Sequence, residues 1–226
     1  MTAKVVKIDW LAMKRYWLHI LIVPVMLTAF GFTMSIALIP LAVFAFAGYA
    51  TNPFAVEEKG KLDHLYLTLP VSRRSIVNGR YALSLIMLAA AYAVGIPAML
   101  LFSGGNIRFG EIYFGVSFSM VALICSFAFA FYGLLNISML PILFRIGYAK
   151  GKAIGFYIPV IVVGLLFGAL TGYITSSDAA IQKTLEVVQY ALEHIALTCA
   201  GFVAAGLILL VVSYVLSVRV YEKRSF

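Results

Sequence analysis

Long runs without Asp, Glu, Lys or Arg alternate along this chain with short intervals that are dense in charge. The runs extend from Tyr16 to Val56, Tyr81 to Ile107, Ile112 to Phe144, Ala153 to Ser177 and His194 to Val218. A bilayer core takes roughly 20 apolar residues of helix, so the last four runs each suit one crossing. The first would extend about 60 Å as one helix at 1.5 Å per residue, enough for two crossings joined by a tight turn near Gly31 and Phe32. The pattern therefore predicts an all-α, polytopic membrane protein with six transmembrane helices: Trp17–Gly31, Met34–Thr51, Ile76–Phe102, Ile112–Leu140, Ile154–Ile174 and His194–Ser217. Residues 1–226 form one transmembrane domain, without a linker or an internal repeat.

Three amphipathic stretches flank these spans. Val6, Trp10, Met13 and Trp17 recur at helical spacing beside Lys7, Lys14 and Arg15, which predicts an interfacial helix over residues 1–16. Between Pro53 and Pro70, which punctuate the chain, Leu62, Leu65, Tyr66 and Leu69 form one apolar helical face, and Ser72 suits the N-cap of the next span. On the other side of the membrane, Ile181, Leu185, Val188, Leu192 and Ile195 form a stripe within residues 175–193, with Lys183, Glu186 and Glu193 off it. That stretch reads either as a lid or as an extension of the last span.

Composition confirms the solvent. The chain is 63% hydrophobic and 12% charged, with a mean hydropathy of +1.02, whereas soluble domains carry about 25% charged residues. Charge then sets the orientation. With both termini cytoplasmic, Lys4, Lys7, Lys14, Arg15, Lys59, Lys61, Arg73, Arg74, Arg80, Arg145, Lys150, Lys152, Arg219, Lys223 and Arg224 lie inside. Only Arg108 and Lys183 of the 17 basic side chains lie outside, as the positive-inside rule requires. The net charge of +8 is thus spread over short loops beside membrane ends, which suits anionic lipid and not nucleic acid. The apolar run after Arg15 lacks a small-residue cleavage site, so it reads as a retained span and not as a signal peptide.

Candidate chemistry is sparse. Cys125 and Cys199 fall within spans and predict neither a disulfide nor a metal site. His19, His64 and His194 have no ligand spacing, so the chain is expected to hold no metal, cofactor or catalytic group. The charge-free runs offer no side chain for an ion or proton pathway. Their polar groups, Ser84, Tyr92, Ser117, Ser119, Ser126, Asn136 and Ser138, are expected to bond neighbouring backbone or to join helices. Phe118, Phe127, Phe129, Phe131 and Tyr132 crowd the fourth span, where packing and an apolar substrate path are both open. Gly164, Gly168 and Gly172 recur every fourth residue of the fifth, a ridge suited to close helix packing within the chain or against a second copy.

The first inner segment carries the most specific pattern. Glu57-Glu58-Lys59-Gly60-Lys61-Leu62-Asp63-His64-Leu65, followed by Thr68-Leu69-Pro70-Val71-Ser72-Arg73-Arg74 and then Arg80, resembles the signature of type-2 ATP-binding-cassette transporter permeases. The interfacial N-terminal helix and the six spans are similar to that family over the whole chain. The resemblance implies a permease domain that pairs as a homodimer or heterodimer with a second permease, each docking a separate cytoplasmic ATPase. Residues 53–70 would be the coupling segment. Docking falls to Glu57, Glu58, Lys59 and Gly60, and the supporting apolar face to Leu62, Leu65 and Tyr66.

ATP and Mg would be bound by the partner, because a phosphate-binding loop needs Gly-x-x-x-x-Gly-Lys-Ser/Thr. Gly147-Tyr148-Ala149-Lys150-Gly151-Lys152-Ala153 has the wrong spacing and ends in Ala. It is the second inner loop, open to ATPase contact or to topology alone. Small outer loops favour export over binding-protein-dependent import, of hydrophobic or amphipathic cargo such as peptides or antimicrobials, from a bacterial cytoplasmic membrane. Two other classes compete. An intramembrane CAAX-type protease needs paired glutamates, a downstream Arg and converging histidines, and here the Glu57-Glu58 pair lies in an inner loop with Gly60. A non-transporting accessory subunit is the other.

Overall fold

The computed structural model describes residues 2–14, 22–32, 34–60, 72–109 and 112–223. Helix α1 spans Thr2–Met13 and α2 spans Ile22–Gly31. A 3-10 turn at Ser35–Ala37 leads into α3 (Leu38–Tyr49), and after a two-residue turn comes α4 (Asn52–Gly60). Two long helices follow, α5 (Arg73–Ser103) and α6 (Phe118–Ile146). Between them β1 (Asn106–Phe109) pairs antiparallel with β2 (Ile112–Gly115). The chain continues as α7 (Tyr148–Lys152), a π-helical turn (Ala153–Tyr157), α8 (Ile158–Thr175), α9 (Asp178–Glu193) and α10 (Ile195–Glu222).

Among the described residues, four helical stretches are long and apolar enough to cross a membrane: Ser35–Gly60, Arg73–Ser103, Phe118–Ile146 and Ile195–Glu222. They match the second, third, fourth and sixth expected spans. The first, Trp17–Gly31, is described only from Ile22, and the fifth corresponds to the π-helical turn and α8, of which Gly164–Thr175 is a shorter apolar helix.

Two boundaries differ from the sequence reading, and the stretch 175–193, left open there, takes a definite form. The fourth span does not begin at Ile112, because Ile112–Gly115 is β2, and the helix starts at Phe118 with Ser117 Oγ accepting from Met120 N at 3.1 Å. Pro53 does not end a helix; it lies in the first turn of α4, where its missing N–H has no intrahelical partner to lose. Finally, α9 is a separate helix, begun by Ser177 and broken from α10 at His194. Its Val188 and Leu192 pack against the bundle core, while Lys183, Glu186 and Glu193 are exposed. Ser72 caps α5 as expected, accepting from Ser75 N at 3.2 Å. That helix ends at Gly104, whose φ of 53° is the left-handed cap glycine tolerates.

The buried core is formed by α3, α5 and α6, and α10 packs along α6 and α5. Successive contacts between α6 and α10 run in the same sequence direction, from Phe127 on Phe202 to Phe144 on Tyr221, so these helices are parallel. Against both, α5 runs antiparallel, with Tyr92 OH donating to Cys125 O at 2.8 Å and Arg73 donating to Glu222 O at 2.8 Å. Polar groups join all three. Ser84 Oγ lies 2.6 Å from Tyr132 OH and donates to Asn136 Oδ1 at 3.1 Å; Ser213 Oγ donates to Asn136 O at 2.9 Å; Tyr81 OH bonds Ser213 at 2.6 Å and Ser217 at 2.9 Å. In lipid such groups have no water to fall back on, so satisfying them within the bundle fixes its register. Ser84 and Asn136 thus join helices as anticipated, while Ser126 and Ser138 bond backbone three residues back.

Close approach of α6 and α10 depends on glycines that the sequence pattern did not single out. A Cβ on Gly133 would lie 2.8 Å from Gly206 O, and one on Gly206 would lie 2.6 Å from the Phe129 ring. Gly164, Gly168 and Gly172 face open space instead, with nothing described within 4 Å. Gly206→Val should therefore cost about 1–3 kcal/mol by overpacking, read as a lowered thermal unfolding midpoint in detergent. Gly168→Ala should leave the midpoint of the isolated chain unlowered.

Candidate coupling site at the basic end of the bundle

Arg80 sits in the second turn of α5, immediately before the charge-free run that begins at Tyr81, and is only 3% exposed. The span expected over Ile76–Phe102 therefore carries a charged side chain, just outside the charge-free run. A guanidinium cannot shed its charge, so its burial demands partners. Two carboxylates supply them from different helices. Arg80 Nη2 donates to Glu57 Oε2 of α4 at 2.8 Å, and Arg80 Nε lies 3.0 Å from Asp9 Oδ2 of α1. The Phe54 ring completes the enclosure, with Arg80 Cζ 4.4 Å from its centroid.

The surrounding packing makes this a dry site. Phe54 meets Phe144 edge to face at 4.9 Å, and Phe144 meets Tyr221 at 5.2 Å. Ile76, Val77, Met139, Leu140 and Leu143 fill the same cluster. On the other flank, α1 is bound to α3 by Tyr49 OH donating to Met13 O at 3.0 Å. The inward face of α1 is thus Asp9 and Met13, each 2% exposed, whereas Trp10 is 49% exposed. Sequence spacing grouped Trp10 with Met13; Met13 turns inward beside Asp9, while Trp10 stays on the outside of the bundle.

One guanidinium between two carboxylates leaves an excess negative charge if both are ionised. Burial accordingly pushes the Asp9 carboxyl above its ordinary value, and the opposing pull of Arg80 does not cancel that rise. Arg80 on α5 is the charged group paired with it, and Arg80 in turn binds Glu57 on α4.

The next residue has a different attachment. Glu58 is exposed and directs its carboxylate at the turn between α6 and α7, where Oε2 accepts from the backbone N–H groups of Tyr148 and Ala149, the latter at 3.0 Å. Gly147 makes the turn with φ of 82°, and a Cβ there would lie 3.1 Å from Glu58 Oε2. Phe54, Glu57, Glu58, Leu143, Ile146, Gly147 and Tyr148 line a cleft between α4 and this turn.

The residues singled out from sequence are thus divided. Glu57 is buried on Arg80, Glu58 reaches the second inner loop, and Lys59 and Gly60 are exposed at the end of α4. Leu62, Leu65 and Tyr66 lie outside the described residues. Gly164, Gly168 and Gly172 are on α8, away from this site. Asp9, Phe54 and Tyr148 were not anticipated as partners. Asp9 carried a usable signal, since it stands four residues before Met13 on one helical face, but an acidic residue near an interface reads as solvated.

Arg80→Met should destabilise the chain by about 3–5 kcal/mol, because it leaves buried carboxylate uncompensated; thermal unfolding in detergent measures this. Asp9→Asn should behave differently. A carboxyl whose folded-state value is raised contributes stability below its unfolded value of 3.8 and loses it as pH rises through the folded value. The midpoint of Asp9→Asn relative to the unsubstituted chain should therefore rise between pH 4 and pH 8, and a difference that falls over this range would refute the assignment.

The family model described as ABC-2 family transporter protein matches residues 5–222. No curated protein and no solved structure matches the chain.

Proposed function

The chain belongs to the ABC-2 family of transporter proteins and is a multi-pass membrane permease; from that premise we propose that it is the permease subunit of an ATP-driven exporter powered by a separate ATPase chain. In this reading it crosses a bacterial cytoplasmic membrane six times with both termini inside. It pairs with a second permease, identical or homologous. ATP and Mg are bound in the partner ATPase, which grips the coupling segment 53–70.

The observation that carries the coupling assignment is the anchoring of α4. This helix continues a membrane-length stretch, Ser35–Gly60, and leaves the bundle through an enclosed ion pair with a residue of the next long helix. A soluble partner holding Lys59, Gly60 and the residues after them would move a lever whose base is fixed to α1 and α5. Glu57 belongs to the base of that lever, since its carboxylate is occupied by Arg80. The reading for cargo follows from the apolar surfaces. In the long helices Ser84, Tyr132, Asn136 and Ser213 are already bonded to each other, which suits hydrophobic or amphipathic molecules, including peptides and antimicrobials, better than ions.

Co-expression with the ATPase encoded beside this gene should give a complex that survives purification. Lys59→Glu combined with Leu62→Glu and Leu65→Glu should lower its yield while leaving the midpoint of the permease alone unchanged. A complex of undiminished yield would overturn the coupling assignment, and failure of the unsubstituted chain to bind that ATPase would overturn the permease-plus-ATPase reading.

A further inference from the structure

Glu57 and Glu58 are adjacent in sequence, yet their carboxylates are attached to opposite parts of the molecule. Glu57 bonds Arg80 and, through it, connects α4 with α5 and Asp9 of α1. Glu58 bonds the main chain of Tyr148 and Ala149, where the limb formed by α7, the π-helical turn and α8 begins. We infer that this pair divides one displacement of α4 between two halves of the bundle, Glu57 carrying it to α1 and α5, and Glu58 carrying it to the α7–α8 limb.

The limb has the construction that such a role requires. It touches α6 through glycines at main-chain distance: a Cβ on Gly151 would lie 3.2 Å from Leu143 Cα, and one on Gly155 would lie 2.9 Å from Ser138 O. These contacts bring the two main chains together, and Phe156 of the π-helical turn adds a stacked contact with Phe44 of α3 at 5.0 Å. Beyond them α8 presents bulky apolar residues outward, with Leu165 70% and Leu166 66% exposed. The limb is thus packed at its start and exposed beyond it, and its base is tied by the Glu58 carboxylate, which accepts from main-chain N–H groups. Gly147, with its positive φ, supplies the pivot between α6 and the tie. The π-helical turn follows within a few residues, a backbone form that accompanies functional sites in helices.

Glu57 and Glu58 are in this scheme positioning residues, and neither needs to touch cargo or nucleotide. The inference rests on the proposal that an ATPase moves α4, and the two are separable by experiment. Full-length permease is assembled with the neighbouring ATPase in nanodiscs after Cys125→Ser and Cys199→Ser, and spin-label pairs are placed at Leu165 with Leu207 and at Leu11 with Leu85. Distances are measured without nucleotide and with ATP plus vanadate.

In the otherwise unsubstituted complex both distances should shift. With Glu58→Ala the complex should form in equal yield and the Leu11–Leu85 shift should persist, while the Leu165–Leu207 shift is lost. Glu58→Gln, which keeps shape and one acceptor oxygen, should reduce that shift if the alanine variant does not fold. Equal shifts in all variants, loss of both shifts together, or no shift of the Leu165–Leu207 pair before substitution would overturn the division. Loss of the complex on Glu58→Ala would do so too, by making Glu58 a direct grip for the ATPase. Absence of any complex before substitution would overturn the proposed function and the inference with it.

Discussion

A guanidinium that cannot be neutralised, placed where water does not reach, dictates the architecture of the basic end of this protein. Arg80 holds α1 through Asp9 and α4 through Glu57, and it rests on the Phe54 ring. None of these helices packs there by hydrophobicity alone. The α4 sequence is half polar, and α1 exposes Ile8, Trp10 and Leu11 while burying an aspartate. A buried ion cluster of this kind adds little net stability compared with apolar side chains of equal volume, because desolvation consumes the attraction. What it gives is uniqueness of position, since sliding α1 or α4 by one residue would strand a charge.

The rest of the bundle is positioned by a second constraint of the same physical origin. Tyr81, Ser84, Tyr132, Asn136, Ser213 and Ser217 satisfy one another across α5, α6 and α10. Gly133 and Gly206 let α6 and α10 approach until main chain meets main chain. Lipid offers neither hydrogen bonds nor hydrophobic contrast between helices, so close packing and internal polar pairing replace the forces that assemble soluble cores. As a result, the basic end is fixed by charge and the middle by hydroxyls.

Much of this was legible in the chain. The charge-free runs located the four long helices because a bilayer demands an uninterrupted apolar length, and Ser72 announced the start of α5 through its side-chain acceptor. The hairpin was missed although Ile107 and Phe109 alternate with polar residues and Gly110 sits between the strands, because a count of uncharged residues starting at Ile112 absorbs β2 into the following helix. The buried side of α1 was not foreseen, because an aspartate near an interface reads as solvated and only its pairing with Arg80 buries it. The glycines that pack α6 against α10 were overlooked for a related reason. A ridge such as Gly164, Gly168 and Gly172 is visible in one segment, whereas Gly133 and Gly206 become a pair only when two helices 73 residues apart are laid side by side.

The parallel course of α6 and α10 also bears on how the protein is made. Tyr81 finds its hydroxyl partners 132 and 136 residues later, and the Asn136 carbonyl waits 77 residues for Ser213. A chain emerging from the ribosome inserts α5 and α6 with these groups turned toward lipid or a chaperone, and only the arrival of α10 covers them. Helix α10 is therefore the last piece of the polar network: until it is laid, Tyr81 lacks the hydroxyls of Ser213 and Ser217, and the Asn136 carbonyl lacks the Ser213 donor.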